Sequence, residues 1–233
     1  MNESSLTWPR LAISISLLVI ALSAYAWFDK PECVENSDGV TSSSRHVALV
    51  VDRSGSMEYL IQEVIDNVNA VLDSLLPTER VSILFFEDPF GVVRYVENQA
   101  VSDVRRLTVR DYSPVGGTPL YDAVGVALAD VVAPTIGAGN VSQFGIVIIL
   151  SDGEENSSSQ YSLSSARRVV AEAISQGIEI RFYGMGPAAA SEAALLGIPL
   201  SGTVQVDQTA AGLDKAFDDL QNSLGQATTS NKC

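Results

Sequence analysis

Three short segments carry the side chains best suited to chemistry. They are Asp52-Arg53-Ser54-Gly55-Ser56, Gly116-Gly117-Thr118-Pro119-Leu120-Tyr121-Asp122 and Ser151-Asp152-Gly153-Glu154-Glu155. Two carboxylates, Asp52 and Asp152, and three hydroxyls, Ser54, Ser56 and Thr118, form a set of oxygen donors. Such a set suits a hard divalent cation: Mg²⁺ and Ca²⁺ prefer oxygen, and Mg²⁺ keeps positions open for water or a partner oxygen. In Asp52-x-Ser54-x-Ser56 alternate side chains leaving a strand end can point the same way, with Gly55 permitting the turn. Two carboxylates brought together without a cation repel, and a metal removes that cost. Any one segment alone reads as a helix cap, a common role for Asp and Ser. All three in order read as a metal site.

Other chemistries fit less well. The single histidine, His46, excludes a multi-histidine metal site within one chain. It stands at the far end of its strand from Ser54 and Ser56, so a serine nucleophile there has no imidazole base, and His46 reads as an ordinary strand-entry residue. The lysines are Lys30, Lys215 and Lys232, none in a glycine-rich loop, so a phosphate-cradling P-loop is absent. Gly184-Met185-Gly186-Pro187-Ala188-Ala189 loosely fits a dinucleotide fingerprint. It follows a late strand, however, and Pro187 stands where amides should face phosphate; it reads as a simple strand-to-helix turn, with no nucleotide bound. Glu154-Glu155 reads as a solvated rim of the metal site, Arg53 as surface, and Arg105-Arg106 and Arg167-Arg168 as exposed helix charges. With 14 Lys and Arg against 28 Asp and Glu, the net charge of −14 makes nucleic acid an unsuitable partner.

The elements that must hold the three segments are legible as an alternation. Apolar, β-branched runs predict strands at 46–51, 81–86, 92–97, 145–150, 178–183 and 203–206. Amphipathic stretches predict helices at 59–76, 119–132, 162–176 and 209–224. Continuous apolar strands are those covered on both faces, as in a parallel sheet. The 92–97 run can return as an antiparallel edge through Asp88-Pro89-Phe90-Gly91. The pattern is an α/β doubly wound domain, in which ligands sit beyond the carboxyl ends of the strands.

The order Asp52-x-Ser54-x-Ser56, Thr118 after a glycine pair, and Asp152 before Gly153 resembles the metal-ion-dependent adhesion site of von Willebrand factor type A domains, over residues 45–224. The resemblance implies a Rossmann-like, mostly parallel six-stranded sheet with helices on both faces. It implies Ser54, Ser56 and Thr118 as hydroxyl ligands, and Asp52 and Asp152 bonding directly or through water. It further implies a protein partner whose acidic side chain completes the coordination of Mg²⁺ or Mn²⁺, with Ca²⁺ also possible. Ser151 stands where many members have Thr. The phrases around Gly116–Ala123 and Leu150–Asn156 are similar to bacterial members.

Before the domain, residues 1–10 form a flank and residues 11–28 an uncharged, mostly apolar run. As a helix the run reaches roughly 27 Å, enough to span the hydrocarbon. Ala24-Tyr25-Ala26 resembles a signal-peptide cleavage site, whereas the run's length and the flanking Trp8 and Trp27 favour an uncleaved anchor. Residues 29–44 read as a polar linker and 225–233 as a tail. Cys33 and Cys233 lie near the two ends of the polar part of the chain. A bridge between them would close a loop of about 200 residues, worth on the order of 4 to 5 kcal/mol, and would place the domain outside the cytoplasm, periplasmic or at the cell surface; the plainer alternative is two unrelated thiols, with Cys233 on a frayed tail. The leading reading is therefore a membrane-tethered or secreted binding module with an adhesion or assembly role, not an enzyme. The alternative is a metal-dependent phosphate-ester hydrolase with Asp52 as nucleophile, weakened by Ser54 where such patterns place an acid and by the lack of a suitably placed lysine.

Overall fold

All seven residues of the first strand, β1 (His46–Asp52), are buried, because helices cover both faces of the sheet in which it is central. The computed structural model describes residues 45–137, 145–152 and 155–230. In chain order β1 is followed by a 3₁₀ turn (Gly55–Leu60), α1 (Ile61–Ser74), β2 (Arg80–Glu87), β3 (Gly91–Ala100), α2 (Leu120–Gly137), β4 (Gly145–Ser151) and α3 (Leu163–Ser175). Then come β5 (Glu179–Met185), α4 (Ala189–Leu196), β6 (Thr203–Val206) and α5 (Ala210–Ser230). The sheet order is β3-β2-β1-β4-β5-β6, with β3 alone antiparallel, as its return through the Asp88–Phe90 turn requires. This is the six-stranded, mostly parallel, Rossmann-like arrangement expected.

The strand period of two sorts β1 between two cores. Val47, Leu49 and Val51 face α1 and α5 and pack among Val64, Val68, Leu72, Leu213 and Phe217. Ala48 and Val50 face α2, α3 and α4 and pack among Leu120, Val124, Leu128, Val170 and Leu196. Every β-to-α connection around β1 and β4 therefore emerges at one edge, the carboxyl ends of the parallel strands.

The Gly184–Ala189 segment is a strand-to-helix turn, as expected, and leads into a short helix, α4, which no periodic apolar face announced. Three expectations are corrected. The helix expected from residue 59 begins with the 3₁₀ turn, and regular α-helix starts only at Ile61. Residues 225–230, expected as tail, prolong α5. Arg105 and Arg106 lie not on a helix but in an irregular segment, where Arg105 pairs with Asp111 and Arg106 with Asp73. The apolar run 11–28, the linker 29–44, Cys33, Cys233, Gly153 and Glu154 lie outside the described residues. Among the described residues no helix is long and apolar enough to cross a membrane.

Candidate metal centre

β1 and β4 are parallel neighbours in register, Val51 opposite Leu150, so Asp52 and Ser151 leave the sheet side by side. The Ser151 hydroxyl donates to Asp52 Oδ2 at 2.6 Å. The other oxygen, Oδ1, accepts the Ser54 backbone N–H at 2.8 Å, the local turn that Asp makes with the amide two residues on. The Asp52 carbonyl accepts the Tyr112 hydroxyl at 2.5 Å. Asp52 is thus fixed through both carboxylate oxygens and its backbone. The 3₁₀ turn that follows brings Ser54 Oγ and Ser56 Oγ within 3.0 Å of each other, and the Ser56 hydroxyl donates to Asp152 Oδ2. Asp52, Ser54, Ser56 and Asp152 therefore meet at one point on the carboxyl edge.

Thr118, buried, comes from the loop before α2. That loop is held against the one after β1 and against the β2–β3 turn: Gly55 N–H donates to Gly116 O and Asp88 N–H to Gly117 O, both at 3.0 Å. Gly116 has φ +67°, and a Cβ there would lie 1.7 Å from the Asp88 carbonyl oxygen, so the approach demands glycine. The Thr118 N–H donates to Asn156 Oδ1 at 2.8 Å, joining this loop to the one after β4.

Electrostatics favour a cation here. Burial pushes the Asp52 carboxyl up to about 7; hydrogen bonds from Ser151 and Ser54 oppose the rise and the Asp152 charge adds to it. Asp152 Oδ1 is buried and accepts no hydrogen bond among the described residues, an expensive arrangement unless something positive faces it. Among the described residues no three His, Cys, Asp or Glu side chains cluster, so affinity for a metal must come from two carboxylates helped by hydroxyls. Two formal negative charges among neutral oxygen donors fit a small, hard divalent ion.

Sequence reasoning missed the residues that support this set. Asp122, in the first turn of α2, accepts the backbone N–H groups of Ser159, Gln160 and Tyr161 at 2.6–2.9 Å. Glu155, expected as solvated rim, accepts from Ser157 N–H, Ser158 N–H, the Ser158 hydroxyl and Tyr121 N–H, the last an orphan donor of the α2 N-terminus. Together they lace the serine-rich segment after Asp152 onto α2. An acid in the first turn of a helix, with a Ser-rich turn elsewhere needing acceptors, was the available signal. Arg53 is also corrected. Its guanidinium pairs with the fully buried Glu87, lies 4.9 Å from the Phe85 ring centroid and donates to Asp111 O at 3.1 Å. It is a clamp for the 104–115 segment.

His46 is buried at the opposite end of β1, with Nε2 2.9 Å from Ser82 Oγ; no imidazole serves Ser54 or Ser56. Gly186, at φ +83°, donates its N–H to Val206 O and closes the edge of the sheet as a turn.

The model of the von Willebrand factor type A domain matches residues 46–222. A comparison with curated proteins gave no match. Among solved structures the chain is similar to the open conformation of the pilus adhesin SpaC from Lactobacillus rhamnosus GG, with 15% identity and TM-score 0.64 over 79% of this chain and 30% of that one. It is similar to proximal thread matrix protein 1 from the mussel byssus with a zinc-occupied MIDAS motif, with 16% identity and TM-score 0.57 over 78% of this chain and 48% of that one. It is also similar to the conserved hypothetical protein BatB from Bacteroides thetaiotaomicron, with 13% identity and TM-score 0.53 over 77% of this chain and 98% of that one. The chain thus spans less than half the length of the first two. The family match covers all six strands and all three loops of the carboxyl edge, and the chain belongs to the von Willebrand factor type A domain family.

Proposed function

We propose that this chain is a binding module whose carboxyl edge holds a divalent cation, Mg²⁺ or Mn²⁺ with Ca²⁺ as a further candidate, and captures a protein partner through an acidic side chain that completes the coordination. Asp52, Ser54, Ser56, Thr118 and Asp152 hold the ion in this reading, directly or through water. The observation that carries it is the buried Asp152 Oδ1, which accepts no hydrogen bond among the described residues, beside the fixed and buried Asp52 carboxylate. A bound cation supplies a positive centre to which a carboxylate can be attracted, and two ligand charges leave the site able to accept one more. The zinc-occupied MIDAS motif of the byssus protein supports the divalent ion in this reading. Both oxygens of Asp52 are engaged by Ser54 N–H and the Ser151 hydroxyl, an arrangement that suits a fixed ligand better than the nucleophile of a phosphate-ester hydrolase. The domain acts outside the cytoplasm in adhesion or assembly, tethered through residues 11–28 or released by cleavage, with Cys33 and Cys233 bridged.

Calorimetry of the full chain with Mg²⁺ and Mn²⁺ tests the metal, and a pull-down in Mg²⁺ and again in EDTA tests the partner. Asp52→Ala should abolish metal binding and metal-dependent capture while the circular-dichroism spectrum is kept. Equal metal affinity in wild type and Asp52→Ala sinks the assignment.

A further inference from the structure

The loops around the candidate metal centre expose large apolar side chains where a soluble rim would carry polar ones. Tyr59 is 55% exposed in the 3₁₀ turn after Ser56, Phe90 is 67% exposed in the β2–β3 turn, and Val115 is 42% exposed immediately before Gly116. Each is tied to the site by its neighbours. Val115 N–H donates to Arg53 O at 2.9 Å; Asp88, two residues before Phe90, donates to Gly117 O; and the Tyr59 hydroxyl reaches Gln208 O at 3.3 Å across the same edge. Of the other exposed apolar residues, Leu76, Ile174 and Leu200 lie at the amino edge of the sheet, Leu195 lies on α4, and Val109 lies in the irregular segment that leads to Val115. Acids stand exposed in these loops, Glu58, Asp88 and Asp207, and Arg53, the cation next to the Asp52 and Ser54 ligands, is paired with Glu87.

Resting on the metal-dependent reading above, we infer that Tyr59, Phe90 and Val115 form an apolar collar around the cation, selecting a protein segment with one carboxylate set among aromatic or aliphatic side chains and free of further acids. The carboxylate is drawn to the cation, its apolar neighbours are desolvated against three loops, and a second acid meets Glu58, Asp88 or Asp207 at close range. Packing three half-exposed apolar side chains against a partner supplies the kind of central, water-excluding contact on which interface energy concentrates.

Three synthetic peptides of equal length test this on the full chain in Mg²⁺, with EDTA controls: one glutamate flanked by Phe and Leu, the same glutamate flanked by Ser and Gly, and the same glutamate flanked by further glutamates. The apolar-flanked peptide should bind at least about tenfold tighter than the Ser/Gly one, the acid-rich peptide weakest, and all three should be lost in EDTA. Tyr59→Ser, Phe90→Ser and Val115→Ser combined should erase the preference with Mg²⁺ affinity by calorimetry unchanged; Phe90→Ser alone, at the most exposed position, should reduce it with the melt unchanged. Normal Mg²⁺ binding with equal affinity for the three peptides, or a preference that survives the combined substitution, overturns the collar but leaves the metal reading standing. Failure of the wild type to bind Mg²⁺ overturns both.

Discussion

At the scale of single residues, the feature that decides the site is how firmly Asp52 is held. Its Oδ2 accepts the Ser151 hydroxyl at 2.6 Å. Ser151→Ala leaves the charge in place but frees the carboxylate to rotate, so affinity for Mg²⁺ should fall about 10- to 100-fold, as when a ligand loses its supporting hydrogen bond. Ser151→Thr keeps a hydroxyl at the same carbon and should retain most of the affinity. Calorimetry giving Ser151→Ala the wild-type value would show that the bond positions nothing. The five candidate ligands could be read in the sequence because their spacing is local to three loops. Ser151, Asp122, Glu155 and Tyr112 could not, because each acts on a group 34 to 99 residues away. Strand register and the helix that an orphan amide belongs to fix such pairs, and neither is written in neighbouring residues.

At the scale of elements, the strands announced themselves, since parallel strands covered on both faces are continuous apolar runs. Helix α4 did not: Ala189–Leu196 is eight residues, half of them alanine, with few large apolar anchors to betray a face. The 104–115 segment, without regular structure, gave no periodicity at all, yet it is pinned at several points. Leu107 exchanges two hydrogen bonds with Asn69, Asp111 pairs with Arg105, and Arg53 reaches Asp111 O while neutralising Glu87. Arg53→Ala strands the Glu87 carboxylate, which is wholly buried, and should cost about 3 kcal/mol or more in urea unfolding. Combining Arg53→Met with Glu87→Leu removes the stranded charge and should recover much of that loss. A cost for Arg53→Ala below about 1 kcal/mol would return Arg53 to the solvated role its sequence position suggests.

At the scale of the whole molecule, the two edges of the sheet do different work, and the amino edge ties the fold together. His46 lies there, its pKa lowered to about 4 by burial and then by Arg80, with Asp130 acting weakly the other way. Between about pH 4 and 6.5 the unfolded chain holds a proton on this ring that the folded chain lacks. Stability therefore rises with pH across that window and is lost as pH falls, by on the order of 3 kcal/mol in full. Asp52 slopes oppositely between 3.8 and about 7, so the His46 share is read as the difference between wild type and His46→Gln, whose unfolding midpoint should decline less on acidification; parallel profiles would contradict it. The domain's two ends also meet at this edge. Arg45, buried and paired with Glu79 at 2.7 Å, donates to the carbonyl of Leu224 on α5 at 3.0 Å. From Leu224 helix α5 continues to Ser230, an advance of about 9 Å, while the 12 residues from Arg45 back to Cys33 can extend over roughly 40 Å. Chain length therefore permits the Cys33–Cys233 bridge, which would make covalent a junction that Arg45 already forms by hydrogen bonds. Such a bridge carries tension on the linker directly to the last helix and keeps β1 from being peeled out of the centre of the sheet. Thiol alkylation of freshly isolated, unreduced protein followed by intact mass should label neither cysteine before reduction and both after. Two free thiols would leave the Arg45 junction as the connection between the ends of the domain and remove the cysteine argument for an oxidising compartment.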